Sequence, residues 1–186
     1  MLNRFLHGRI RAFERRYGYD GSYMHELADL DRTGFLRFMR TSSGLGQHTG
    51  CLPPTAFFAA KLAAILHEDC GPCAQLVVDM ALEAGVAPTT LAALAAGRID
   101  AAGEDAALAF RFARALLTAS PVLEDLRAAA TTRFGAAGPA ALGLAVVTAR
   151  IYPVLKRAMG HAHACRRLRV GDDDIVPRST VAAAPA

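Results

Sequence analysis

Apolar residues recur at helical spacing from the start of the chain. Leu2, Phe5, Leu6, Ile10, Phe13 and Tyr17 share one side of a helix, with Arg4, Arg9, Arg11, Arg15 and Arg16 between them. This predicts an amphipathic helix that stops at Gly18. A membrane-surface helix has the same texture, but acidic residues and further helical segments follow at once, so docking on the body or on another subunit is expected. Ser22 and Thr33 can cap two shorter helices, over 22–30 with Tyr23, Leu27 and Leu30 on the buried face and over 33–40 with Leu36 and Met39. The Gly-, Ser- and Thr-rich stretch 41–52 reads as a linker.

After Pro53 and Pro54 the texture changes. Residues 55–69 are almost wholly apolar around a single Lys61, which describes a helix lying mostly inside. The turn Glu-Asp-Cys-Gly-Pro-Cys interrupts it. A second helix follows with Leu76, Val77, Met80, Ala81 and Ala84 on one face, and Gly85 closes it; Pro72 suits its first turn, where an N–H is not needed. Further helices are predicted over 88–96, over 104–118 with Leu108, Phe112 and Leu116 inward, over 121–134 and over 139–159. Pro153 falls inside the last of these and is expected to kink it. Residues 166–186, with short charge blocks and an Ala/Pro end, carry no predicted element and read as a mobile tail. The expected organisation is an N-terminal helical arm and linker over 1–50, a helical domain over 51–165, and that tail.

Composition sharpens the fold class. Alanine, which loses least on entering a helix, occupies 39 of 186 positions, and Trp is absent, so an all-α bundle is expected. A chain of this length, 53% hydrophobic, buries a core without disulfide staples. The net charge of +4 divides into +3 over residues 1–40, −3 over 41–149 and +4 over 150–186. So small and interleaved an excess argues against nucleic acid as a partner. The uncharged, mainly apolar run 134–149 contains a Gly-Pro pair and falls short of the ~20 residues that span a bilayer, so no membrane partner is expected. The N-terminus lacks an uninterrupted apolar segment and a small-residue cleavage site, which makes a reducing cytoplasm the expected compartment.

The chemistry rests on cysteine. Cys70-Gly71-Pro72-Cys73 is a C-x-x-C at the start of a helix, where unpaired N–H groups and the helix dipole favour a thiolate, and one turn brings the two sulfurs within disulfide reach. Thioredoxins carry the same four residues after a β-strand, whereas the preceding stretch here is helical. Glu68 and Asp69 disfavour a thiolate at Cys70 and so oppose the dipole. His67, or His161 and His163 brought back by the last helix, are candidate bases. The two later histidines could join Cys70 and Cys73 around zinc, although helix geometry sets them on different faces. Cys51 and Cys165 read as ordinary small side chains. On access and dipole alone Cys70 is the better nucleophile.

An apolar helix, C-x-x-C at the head of the next, then ALEAGV, a short helix and a hairpin of the type FARALL … ALGLAVVTARIYPVLKRAMG together resemble the alkylhydroperoxidase D-like branch of the carboxymuconolactone decarboxylase family, over roughly residues 54–160. The resemblance implies a bundle of helical hairpins that forms homo-oligomers. In the family's redox members the second Cys attacks a hydroperoxide, and the first resolves the sulfenate to a disulfide that an external thiol reduces. Carried over, Cys73 is peroxidatic and Cys70 resolving, while the residue-level reading prefers Cys70; both remain open. The family's proton relay, a His four residues after the second Cys and a Glu twelve before the first, falls on Val77 and Phe58, neither of which carries a proton. The expected activity is a thiol-dependent oxidoreductase reducing hydroperoxides or disulfides. Its site would be Cys70, Cys73, Glu68 and His67, without cofactor or metal, with a protein or small thiol as reductant. The alternative is a non-catalytic oligomeric module whose thiols bind metal or sense oxidation. A lactone decarboxylase has no use for the C-x-x-C and ranks last.

Overall fold

Proline and glycine set most helix boundaries in the computed structural model, which describes residues 2–161 and 167–177. The helices are α1 (Leu2–Tyr17), α2 (Ser22–Leu30), α3 (Arg32–Gly46), α4 (Pro54–His67), α5 (Gly71–Glu83), α6 (Pro88–Ala95), α7 (Glu104–Leu117), α8 (Leu123–Phe134) and α9 (Gly138–Ala158), with a 3-10 turn at Ile99–Ala102. Two short strands follow, β1 (Leu168–Val170) and β2 (Asp173–Ile175). The expected all-α class holds, with 74% of the structure helical.

The centre is α4, whose residues from Ala56 to Leu66 are nearly all buried, and it packs against α7, α9 and α5. Ala59, Ala60 and Ala63 on α4 and Ala106, Ala109 and Ala113 on α7 are fully buried. Side chains this small let two helices approach closely. Their alignment also corrects the predicted inward face of α7: Phe110 and Phe112 are buried, Leu108 is half-buried and Leu116 is exposed. The alanine stripe decides which side of α7 meets α4, and the leucines flank it.

The arm forms a second apolar cluster. Leu6, Ile10, Tyr19, Tyr23, Met24 and Phe35 are buried together, and Leu76 of α5 with Leu155 and Met159 of α9 pack against them. Polar links reinforce the docking. Arg16 and Tyr17 donate to Glu83 at 3.0 and 2.9 Å, and His7 and His25 meet through Nδ1 atoms 2.5 Å apart, flanked by Asp29 and Glu14.

The start of α3 is capped by Asp31, which accepts from the Gly34 N–H at 2.8 Å, not by Thr33. The helix then runs to Gly46, through half of the predicted linker, because Phe35 and Ser42 are buried on its inner face and Lys61 donates to the Gly46 carbonyl at 2.5 Å. Burial lowers the Lys61 ammonium to about 8.

Residues 168–175, where the sequence reading assigns no element, form an antiparallel ribbon docked on α5 and α6. Strands of three residues are too short to carry a legible period. Leu168 and Val170 are buried, and Gln75 clips the ribbon to α5: its Oε1 accepts from the Arg169 N–H at 2.8 Å and its Nε2 donates to the Arg169 carbonyl at 2.9 Å. Leu168→Ala is expected to cost about 2 kcal/mol, the low end for a buried leucine, because a peripheral ribbon can settle onto the gap. Amide exchange should quicken over 168–175 with the α4 amides unchanged; equal quickening in α4 would show that the ribbon belongs to the global unfolding unit.

Among the described residues α9 is the one helix long and apolar enough to cross a bilayer, with a mean hydropathy of 1.4 over its most apolar window. Its buried face, 44% of that window, is used inside the fold against α4, α3 and α8. Pro153 lies within it, as expected, and is buried.

Candidate functional site

The turn between α4 and α5 is short and conformationally specific. Glu68 ends α4, Asp69 adopts a positive φ of 52°, which Asp tolerates better than most residues, and Cys70 is extended at the N-cap of α5. Gly71 and Pro72 then supply the first helical positions. This brings the Cys70 and Cys73 Cα atoms to 5.3 Å and joins their sulfurs in a disulfide. Both cysteines are buried.

Glu68 is the anchor of this turn. Its side chain is 5% exposed; Arg150 Nε donates to Oε1, while Arg157 Nη2 donates to Oε2 and to the Glu68 carbonyl, each at 2.9 Å. Burial pushes its carboxyl up, but the hydrogen bonds and charges of the two arginines outweigh that and hold it below the usual carboxylate range. Glu68 is therefore an ionised acceptor tying the thiol turn to α9. His67, half-buried on the last turn of α4, makes no side-chain hydrogen bond or ion pair among the described residues. Phe58 is half-buried edge-to-face with Phe57 at 5.2 Å, and Val77 is buried one turn beyond Cys73.

Other candidates lie elsewhere. His161 pairs with Glu26 of α2 at 2.6 Å, and Cys51 is an exposed free thiol. His163 and Cys165 lie outside the described residues. A separate groove of about 360 Å³ beside α7 and α8 is lined by Asp100, Glu104, Arg111, Leu126 and Arg133, with neither sulfur in its wall.

The sequence reading missed four residues. Arg150 and Arg157 hold Glu68; the Tyr19 hydroxyl lies 3.9 Å from Cys73 Sγ; and the fully buried Lys156 places Nζ 4.7 Å from the Tyr19 ring centroid and 5.2 Å from that of Tyr23. Three cations on an otherwise apolar helix were a signal for those on α9. Tyr19, 54 residues from Cys73, carried none. No protein-family model, curated protein or solved structure matches the chain.

Proposed function

We propose that the chain is a thiol oxidoreductase of the alkylhydroperoxidase D-like type, cycling Cys70 and Cys73 between dithiol and disulfide. The observation that carries this reading is the Cys70–Cys73 disulfide at the N-terminus of α5. There the helix dipole and free N–H groups favour whichever sulfur is released as thiolate. Hydroperoxide or a partner disulfide serves as oxidant, and a dithiol protein or small thiol returns the pair to its reduced state. Glu68 acts in this reading by positioning the turn. The working unit is proposed to be a homo-oligomer. Leu2 and Phe5 on α1 and Val147 and Val154 on α9 are exposed apolar side chains that a second copy would cover.

Peptide mapping of alkylated protein before and after hydrogen peroxide tests the cycle. Cys70 and Cys73 are expected to give the reversible disulfide, and peroxide consumption with a dithiol reductant should vanish in both Cys70→Ser and Cys73→Ser. A bridge between Cys51 and Cys165 as the main product, or undiminished turnover in either variant, would overturn the reading.

A further inference from the structure

A thiolate that cleaves a peroxide needs an acid for the oxygen that leaves. Glu68 is held ionised by Arg150 and Arg157 and so does not serve. A side chain that reaches a sulfur of the pair comes from the arm: Tyr19, whose buried hydroxyl is 3.9 Å from Cys73 Sγ. Burial above all, with Asp20 and Tyr152 adding to it and a hydrogen bond with Tyr23 pulling the other way, pushes this hydroxyl up to about 12. It therefore keeps its proton through the neutral range and is present there as a donor. Behind the ring stands Lys156, fully buried, donating to the Asp20 carbonyl at 3.3 Å and forming no ion pair among the described residues. Burial pulls the ammonium's pKa down and the Asp20 carboxylate pushes it back up. An anion formed at Cys73, whose sulfur stands at the Tyr19 hydroxyl, adds to that opposing charge through the same ring.

Resting on the dithiol cycle proposed above, we infer that Tyr19 is the acid of that cycle when a hydroperoxide is the oxidant, with Lys156 as the positioning residue that holds its ring and favours the Cys73 thiolate. In the reduced protein the thiolate accepts a hydrogen bond from the Tyr19 hydroxyl. It attacks the terminal oxygen of ROOH: the S–O bond forms, the O–O bond breaks with its electron pair on RO, and the Tyr19 proton moves to that oxygen, giving ROH, a Cys73 sulfenic acid and tyrosinate. The Cys70 thiol then attacks the sulfenic sulfur, closing the disulfide, and hydroxide leaves with the Cys70 proton as water. The two sulfurs lose two electrons and the peroxide gains them. The proton released when Cys73 ionised restores Tyr19.

Tyr19→Phe removes one oxygen and keeps the ring. The reduced chain is mixed with hydrogen peroxide, and separately with dithiodipyridine, an aromatic disulfide whose thiopyridone leaves without a proton from the protein. Both reactions are followed by alkylation and mass, at alkaline pH where the thiolate is formed in both proteins. The peroxide reaction of Tyr19→Phe is expected to fall about 10²-fold or more, with the dithiodipyridine reaction unchanged. The pH profile of Cys73 alkylation should move upward in both Tyr19→Phe and Lys156→Met. Tyr19→Phe with the parent peroxide rate overturns the inference. A parent chain that reacts with dithiodipyridine but not with peroxide overturns instead the peroxidase reading beneath it. Should Tyr19→Phe not fold, a fluorotyrosine at position 19, which keeps the ring and makes its hydroxyl more acidic, decides: a changed peroxide rate with an unchanged dithiodipyridine rate supports Tyr19 as acid, and both rates unchanged overturn it.

Discussion

Truncating Phe110 to alanine is expected to cost about 4 kcal/mol, within the 3–5 kcal/mol range for buried aromatics. Phe110 is among the largest fully buried side chains, on the α7 face that meets α4. The cost depends on whether neighbours can fill the gap, and here many of them are alanines, which have no length to reach into it. At about 2–4 °C per kcal/mol for a chain of this size, the melting temperature should drop by about 10 °C. Leu116→Ala, on the exposed side of the same helix, should stay within about 0.5 kcal/mol. Thermal melts of the two variants check this directly, and comparable losses would place the inward face of α7 where the leucines are.

Replacing Glu68 by glutamine should cost about 2 kcal/mol at neutral pH. Breaking a fully buried ion pair costs about 3–5 kcal/mol because a charge is left dry, but Arg150 and Arg157 are about half exposed and would be rehydrated, which lowers the figure. The dependence on pH has a definite sign. A carboxyl held below its unfolded value stabilises the fold above about pH 4.3 and loses that contribution as pH falls through the lowered folded value. Glu68→Gln should therefore be less stable than the parent at pH 7 and lose stability less steeply below about pH 5. Denaturant midpoints at a series of pH values decide it, and parallel pH curves for parent and variant would show that Glu68 is not the anchor described. The same variant should still close the Cys70–Cys73 disulfide, since the pairing depends on the first turn of α5.

Helix existence was legible because it rests on local terms. Pro54, Pro88 and the glycines at 18, 85 and 97 punctuate the chain, and the all-α class follows from alanine between them. What the sequence withheld was non-local. The continuation of α3 to Gly46 depends on a lysine fifteen residues away reaching its last carbonyl. The face of α7 depends on alanines, which carry no weight in a hydrophobic pattern yet decide how closely helices meet. The strands at 168–175 depend on a glutamine of α5 that reads as surface. The candidate site divides the same way. The C-x-x-C and Glu68 stand side by side in sequence, and their neighbourhood was visible. The partners of Glu68 lie 82 and 89 residues downstream, and no spacing rule links them.

The segment after α1 places the Tyr19 hydroxyl beside Cys73, and this bears on how the molecule can be divided. A fragment beginning at residue 51 would retain both cysteines, Glu68 and its arginines, yet lose Tyr19 and leave the Lys156 ammonium without its ring and carbonyl cradle. The C-x-x-C helix is thus not a portable cassette. Transplanting this chemistry to another scaffold, or minimising it, would require carrying two sequence-distant pieces together: the turn after α1 that presents the hydroxyl and the α5–α9 frame that presents the sulfur.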